Sequence, residues 1–155
     1  MEITTASSDD ADRVVDLWVA LARDQRAHGS QLLAEANRDA IREAVFQRIV
    51  ADDLLLADES GETIGFVMAT IEQGRYEQAL TRGLVENIYV VPEHRREGVG
   101  GALLRAAERH LAESGADTVA LEAMADNEAA RSFYADHGYE LHRVELTKPT
   151  ESDTL

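Results

Sequence analysis

Late in the chain, Arg95-Arg96-Glu97-Gly98-Val99-Gly100-Gly101 sets two arginines and three glycines just ahead of Ala102-Leu103-Leu104, which reads as helix. Glycines at a helix start let the backbone come close to a ligand. The unpaired N–H groups of that first turn point at an anion, and the helix dipole favours negative charge there. This is chemistry for holding phosphate. The residues after the last glycine exclude two common phosphate loops. The P-loop needs lysine and a hydroxyl residue at that point, and Ala102-Leu103 stands here. The dinucleotide fingerprint needs glycine or alanine where Leu103 stands, and it belongs to the first strand–helix unit of its fold. Other reactive groups are few. With no cysteine there is no thiol to form an acyl-enzyme, no disulfide and no thiolate metal site. No Gly-x-Ser-x-Gly is present. The histidines His28, His94, His110, His137 and His142 lack metal-ligand spacing, so no metal is expected.

The elements that position this loop can be read from periodicity. Residues 1–5 suit a short strand. Ser8-Asp9-Asp10 offers caps for a helix whose buried face carries Val14, Val15, Leu17, Trp18, Leu21 and Ala22. Gly29-Ser30 breaks it, and a second helix runs from about 36 to 51, with Ile41, Ala44, Val45, Arg48 and Ile49 on related faces. Leu54-Leu55-Leu56-Ala57 and residues 63–71 form a hairpin around the turn at 58–62. Residues 72–83 are a polar loop, and 84–91 are a strand ended by Pro92. The helix after the glycine loop spans 98–114 and is closed by Gly115. A strand at 117–124, a helix at 127–137 stopped by Gly138, and a last strand at 139–146 complete the pattern. The fold class is therefore α/β (α+β): a mixed, mostly antiparallel sheet of six or seven strands, flanked by about four helices. One domain is expected over 1–148, with a flexible tail at 149–155.

Arg95-x-x-Gly98-x-Gly100, preceded by Ile88-Tyr89-Val90-Val91-Pro92-Glu93-His94, resembles the signature of the GNAT superfamily of acyl-CoA-dependent N-acetyltransferases. The later Asn127-Glu128-Ala129-Ala130-Arg131-Ser132-Phe133-Tyr134, followed by Gly138-Tyr139, is similar to the same family's second CoA motif. The resemblance covers 84–139 by motif and 1–83 by element order alone. It implies that Arg95, Arg96, Glu97, Gly98, Val99, Gly100 and Gly101 hold the CoA pyrophosphate. It also implies that the backbone of Ile88, Tyr89 and Val90 bonds the pantetheine arm, and that Asn127, Ala130 and Tyr134 line it. Asn127 also reads as an ordinary helix cap. In the family, glycine often follows the first arginine, whereas Arg96 stands here.

The implied reaction is direct transfer from acetyl-CoA to a primary amine through a ternary complex. Tyr134 matches the position whose hydroxyl protonates the leaving thiolate. Glu86, on the strand carrying the pantetheine, is the expected base; a solvated glutamate at a strand edge is the alternative. A base is needed because an alkylammonium has a pKa near ~10. A backbone N–H near Val90 would polarise the carbonyl. The acceptor is a small amine, a polyamine, or a peptide or protein amine. Arg26, His28, Arg75, Tyr76 and Glu77 are candidates for the acceptor pocket. A homodimer is expected by analogy alone.

Thirty acidic residues against 15 basic ones give a formal net charge of -15. Such a surface excludes nucleic acid and disfavours anionic membranes. It could steer a cationic substrate. It also suits a protein adapted to high salt, and Lys148 being the only lysine favours that halophilic reading. No apolar run nears the ~20 residues of a membrane span, and the N-terminus has no basic leader. The expected location is the cytoplasm. Two other functions fit parts of the sequence: a non-catalytic acyl-CoA-binding module, and an acidic protein-interaction domain.

Overall fold

In a computed structural model, residues 1–151 are described. Five strands form one sheet in sequence order. They are β1 (Glu2–Thr5), β2 (Leu54–Glu59), β3 (Glu62–Ile71), β4 (Arg82–Val90) and β5 (Thr118–Leu121). The first four pair antiparallel, and β5 lies parallel to β4. Four α-helices accompany them: α1 (Ala11–Arg26), α2 (Arg38–Val50), α3 (Val99–Glu113) and α4 (Glu128–Asp136). None of them is long and apolar enough to cross a membrane.

The core explains the layers. Leu54, Leu56, Ile64, Phe66 and Val67 fill the central strands and are almost wholly buried. Val14, Val15 and Val19 of α1 and Val45 of α2 join the same core. So do Leu103, Leu104 and Leu111 of α3. The α3 helix lies very close to the sheet. A Cβ on Gly83 would come within 2.9 Å of Leu111, and one on Gly65 within 3.1 Å of Leu103. These contacts seat α3 directly behind β3 and β4, with its N-terminus at the exit of β4. No charged or polar side chain is fully buried among the described residues.

One expected strand is missing. Residues 139–146 form no strand, and the sheet has five strands where six or seven are expected. Every residue from Glu140 to Glu151 is exposed. The pattern at 139–146 specifies extended backbone and apolar side chains. A strand also needs a neighbouring edge, and among the described residues no strand pairs with the segment. The expected tail falls partly on residues 152–155, which lie outside the described residues.

Candidate active site

Strands β4 and β5 pair only from Arg82–Thr118 to Val85–Leu121. Glu86 then sits at a bulge, because Val85 faces Ala69 and Asn87 faces Met68. Beyond it, β4 continues to Val90 with β3 on one side and, among the described residues, no strand on the other. The direction of its polar groups is set by one bond: the Val91 N–H donates to the Ile64 carbonyl at 2.9 Å, towards β3. Backbone groups alternate along a strand. Val90 and Ile88 therefore turn their N–H and C=O into the gap, while Tyr89 turns its own towards Phe66. Of the three residues expected to bond a pantetheine arm through backbone, two face the gap. Tyr89 serves instead as a buried side chain, and burial raises the pKa of its phenol.

The gap leads to the start of α3. Gly98 caps that helix with φ 85°, a left-handed conformation natural to glycine, and no side chain caps the end. The Ala102 N–H bonds the Gly98 carbonyl. Among the described residues, no acceptor takes the N–H of Arg96, Glu97, Gly98, Val99, Gly100 or Gly101. A Cβ on Gly98 would meet nothing within 4 Å, so the ground before this fan of donors is open. Arg96 also lies at positive φ, 65°, where a non-glycine residue is strained. That is the physical sense of a glycine at this position. The Arg96 side chain is exposed and makes no ion pair among the described residues. Arg95 is differently placed. Its Nε donates to the Val90 carbonyl at 2.9 Å, its guanidinium lies 5.3 Å from the Tyr89 ring centroid, and it reaches Asp24 at 3.4 Å. Arg95 thus braces the turn and ties it to α1.

Beside the loop, His94 Nδ1 lies 3.0 Å from Glu97 and 3.3 Å from Glu59. The Glu97 bond raises the His94 pKa. This trio brings three ligand-type atoms within 4.8 Å of one another. Sequence spacing misses it because Glu59 comes from a distant strand.

Two further elements border the gap. Asn127 caps α4, its Oδ1 accepting from the Ala130 N–H at 3.1 Å, so the expected cap forms. Phe133 and Tyr134 then lie half-buried with rings 5.3 Å apart. Phe133 borders the loop, 3.5 Å from where a Cβ on Gly100 would be. Burial raises the Tyr134 pKa, and its hydroxyl bonds no group among the described residues. A phenol that holds its proton and has no partner can donate. On the other side, His28 and Gly29 come after α1 and approach the β5–α4 loop. His28 lies 3.8 Å from Asp126, and a Cβ on Gly29 would lie 3.7 Å from Met124. Of the other acceptor candidates, Arg26 bonds the Leu32 carbonyl, and Arg75 and Tyr76 stack on each other in an exposed loop with Glu77.

Glu86 is not a free carboxylate. Arg48 of α2 grips both its oxygens, at 2.6 and 3.0 Å, and the pair is about a quarter to a third exposed. Each oxygen accepts one bond from Arg48 and keeps a second lone pair, so the carboxylate is anchored in place. Arg48 is the residue the motifs do not supply. The only signal is its place in the helical series of Ile41, Val45 and Ile49, where an arginine needs a partner.

A parted strand, an uncapped glycine-rich helix start beyond it, and an aromatic pair alongside form one continuous track. The sequence model of the acetyltransferase (GNAT) family matches residues 18–139, which include all of it. The chain belongs to the GNAT family. The uncharacterised N-acetyltransferase YhfO of Bacillus subtilis is 35% identical over 89 residues, covering 56% of this GNAT chain and 58% of YhfO. The mycothiol acetyltransferase of Streptomyces griseus is 30% identical over 135 residues, covering 87% and 42% of the two chains. The chain thus spans about half the length of these two curated relatives. An uncharacterised N-acetyltransferase of Archaeoglobus fulgidus is 28% identical over 138 residues, covering 87% and 90%. The solved GCN5-related N-acetyltransferase of Ralstonia eutropha superposes with a TM-score of 0.77 at 26% identity, over 96% and 97% of the chains. An aminoglycoside N-acetyltransferase solved in complex with CoA gives 0.75 at 21% identity, over 96% and 94%, a likeness of fold.

Proposed function

We propose that this GNAT-family chain, as one domain over residues 1–148, transfers an acetyl group from acetyl-CoA directly to a primary amine. The observation that carries the reading is the alignment of the gap-facing backbone of Ile88 and Val90 with six unpaired N–H groups at 96–101. An extended arm ending in phosphates fits that track: amide groups pair along β4, and the pyrophosphate meets the N–H fan and Arg96. The thioester then lies near the bulge, between Glu86 and Tyr134. No metal enters the scheme.

In the reaction, the neutral amine nitrogen attacks the acetyl carbon, and the Ile88 N–H, the gap-facing donor nearer the bulge, stabilises the developing oxyanion. The C–S bond breaks as Tyr134 gives its proton to the sulfur. The amine proton leaves through Glu86, directly or by way of water. Free CoA and an amide are the products. An incoming ammonium is the natural competitor for the Arg48 fork, which favours a cationic acceptor: a small amine, a polyamine, or a peptide or protein amine. The acidic surface fits a protein of a salty cytoplasm and gives no purchase to nucleic acid or anionic membranes. The test is release of free CoA from acetyl-CoA across a panel of amines, with the acetylated product identified by mass. Binding of acetyl-CoA without turnover on any amine class would favour the acyl-CoA-binding module. In that case the Arg48–Glu86 pair would be a fixed strut.

A further inference from the structure

Gly101 is buried in the first turn of α3, and two side chains fill the space its own would take. A Cβ there would lie 3.2 Å from Arg105 Nη1 and 3.2 Å from His137 Nε2. Arg105 stands one turn further on, and long helical side chains lean back over the preceding turn. The missing side chain at 101 lets its guanidinium come down beside the N–H fan. His137 arrives from the C-cap of α4, its ring centroid 4.6 Å from that of Phe133.

Neither group has an anion to meet. Arg105 is exposed and makes no hydrogen bond or ion pair among the described residues. Acidic residues outnumber basic ones 30 to 15 in this chain, so an arginine without a carboxylate is conspicuous. His137 Nδ1 lies 2.9 Å from the Phe133 carbonyl. A carbonyl oxygen only accepts, so Nδ1 carries a proton and the ring is fixed in orientation. Its Nε2 bonds no group among the described residues and is not shut off from solvent. Protonated, the ring donates from Nε2 as well. A guanidinium and an imidazole edge therefore converge at the flank of the turn that supplies the fan.

Their position selects the anion. The fan takes the pyrophosphate in the reading given above, on which this subsite rests. CoA carries one further anionic group, a phosphomonoester on C3′ of the ribose whose C5′ bears the pyrophosphate. The two are held a sugar's width apart, as the fan and the Arg105 guanidinium are held side by side on one helical turn. We propose that Arg105 and His137 form a subsite for the ribose 3′-phosphate, so that this chain selects acetyl-CoA over its 3′-dephospho form. The planar fork of Arg105 pairs with two phosphate oxygens, and the His137 Nε2–H takes a third. Gly101 leaves room for both side chains.

The test is calorimetric titration of the full chain with acetyl-CoA and with 3′-dephospho-acetyl-CoA, in the lowest salt at which circular dichroism shows it folded. A charge-assisted contact is worth about tenfold to about 150-fold, so the wild type should bind acetyl-CoA at least about tenfold more tightly. Arg105→Met should bring acetyl-CoA down to the dephospho level and leave the dephospho affinity unchanged, which also shows that the variant is folded. His137→Gln should reduce the ratio in part. Equal affinities in the wild type overturn the subsite and leave the acetyl-CoA reading standing. A preference that survives Arg105→Met but vanishes in Arg96→Met overturns it too, by assigning the 3′-phosphate to Arg96. A folded wild type that binds neither ligand overturns the subsite and the acetyl-CoA reading together.

Discussion

Alanine at either end of α3 separates the phosphate role of the glycine loop from its backbone role. Gly98 opens the helix at φ 85° and Gly115 lies just past its end at φ 102°. A Cβ at either position meets nothing within 4 Å. Neither substitution makes a clash, so both share one cost, a left-handed alanine at about 1–2 kcal/mol. With an unfolding entropy near 2.1 cal/mol/K per residue, a chain of this length should lose about 3–6 °C of Tm in each case. The ligand consequence differs. The Gly98 methyl would project before the N–H fan, where a pyrophosphate must approach. Loss of one charge-assisted contact, about 1.5–3 kcal/mol, weakens acetyl-CoA binding by about tenfold to about 150-fold. Gly115 lies at the far end of the helix. Calorimetric titration of both variants, with Tm from scanning calorimetry, is the assay. Matched losses of Tm with weak binding in Gly98→Ala alone are expected. Equal affinities in the two variants would refute the role given to the loop.

Other outcomes rest on the same geometry. Tyr134→Phe should lower kcat at least about tenfold with little change in acetyl-CoA affinity, because its proton is needed only in the transition state. Burial raises the Tyr134 pKa above the ordinary phenol value, so the acid form persists as pH rises. The kcat profile should therefore show no alkaline fall from this group below about pH 10. Glu86→Gln should lower kcat, whereas Arg48→Met should free the carboxylate and lower the KM for a cationic amine. Equal loss of kcat in both variants would make the pair a positioning strut. Gly83→Ala forces a Cβ to 2.9–3.0 Å from three atoms of buried Leu111 and should cost about 1–3 kcal/mol by urea denaturation. A net charge of -15 resists folding by self-repulsion, while exposed ion pairs contribute little each. Tm should therefore rise in about 1 M KCl, where the Debye length is only about 3 Å.

What the sequence reveals best is what is local. The glycine run, Asn127 and Gly138 specify conformations that single residues decide, and each occurs where the spacing puts it. Those motifs, in that order along the chain, carry the resemblance to the GNAT family. What it hides depends on partners far away in sequence. Arg48 and Glu86 lie 38 positions apart, and no motif joins them. The direction of the Tyr89 backbone is set by register against Phe66, which the alternation of side chains does not report. Arg95 looks like a phosphate ligand by type and place, yet Val90, Tyr89 and Asp24 draw its guanidinium inward. The segment 139–146 has the pattern of a strand, but its pairing partner is not fixed by its own residues.

The most direct test is calorimetric titration of the wild-type chain with acetyl-CoA, in low salt and in multimolar KCl, with folding verified in each. Binding of micromolar strength in at least one condition is the predicted result, and it would establish that the chain holds an acyl-CoA site. A folded protein that gives no binding in either condition would contradict the account, leaving the acidic surface as the better guide to function.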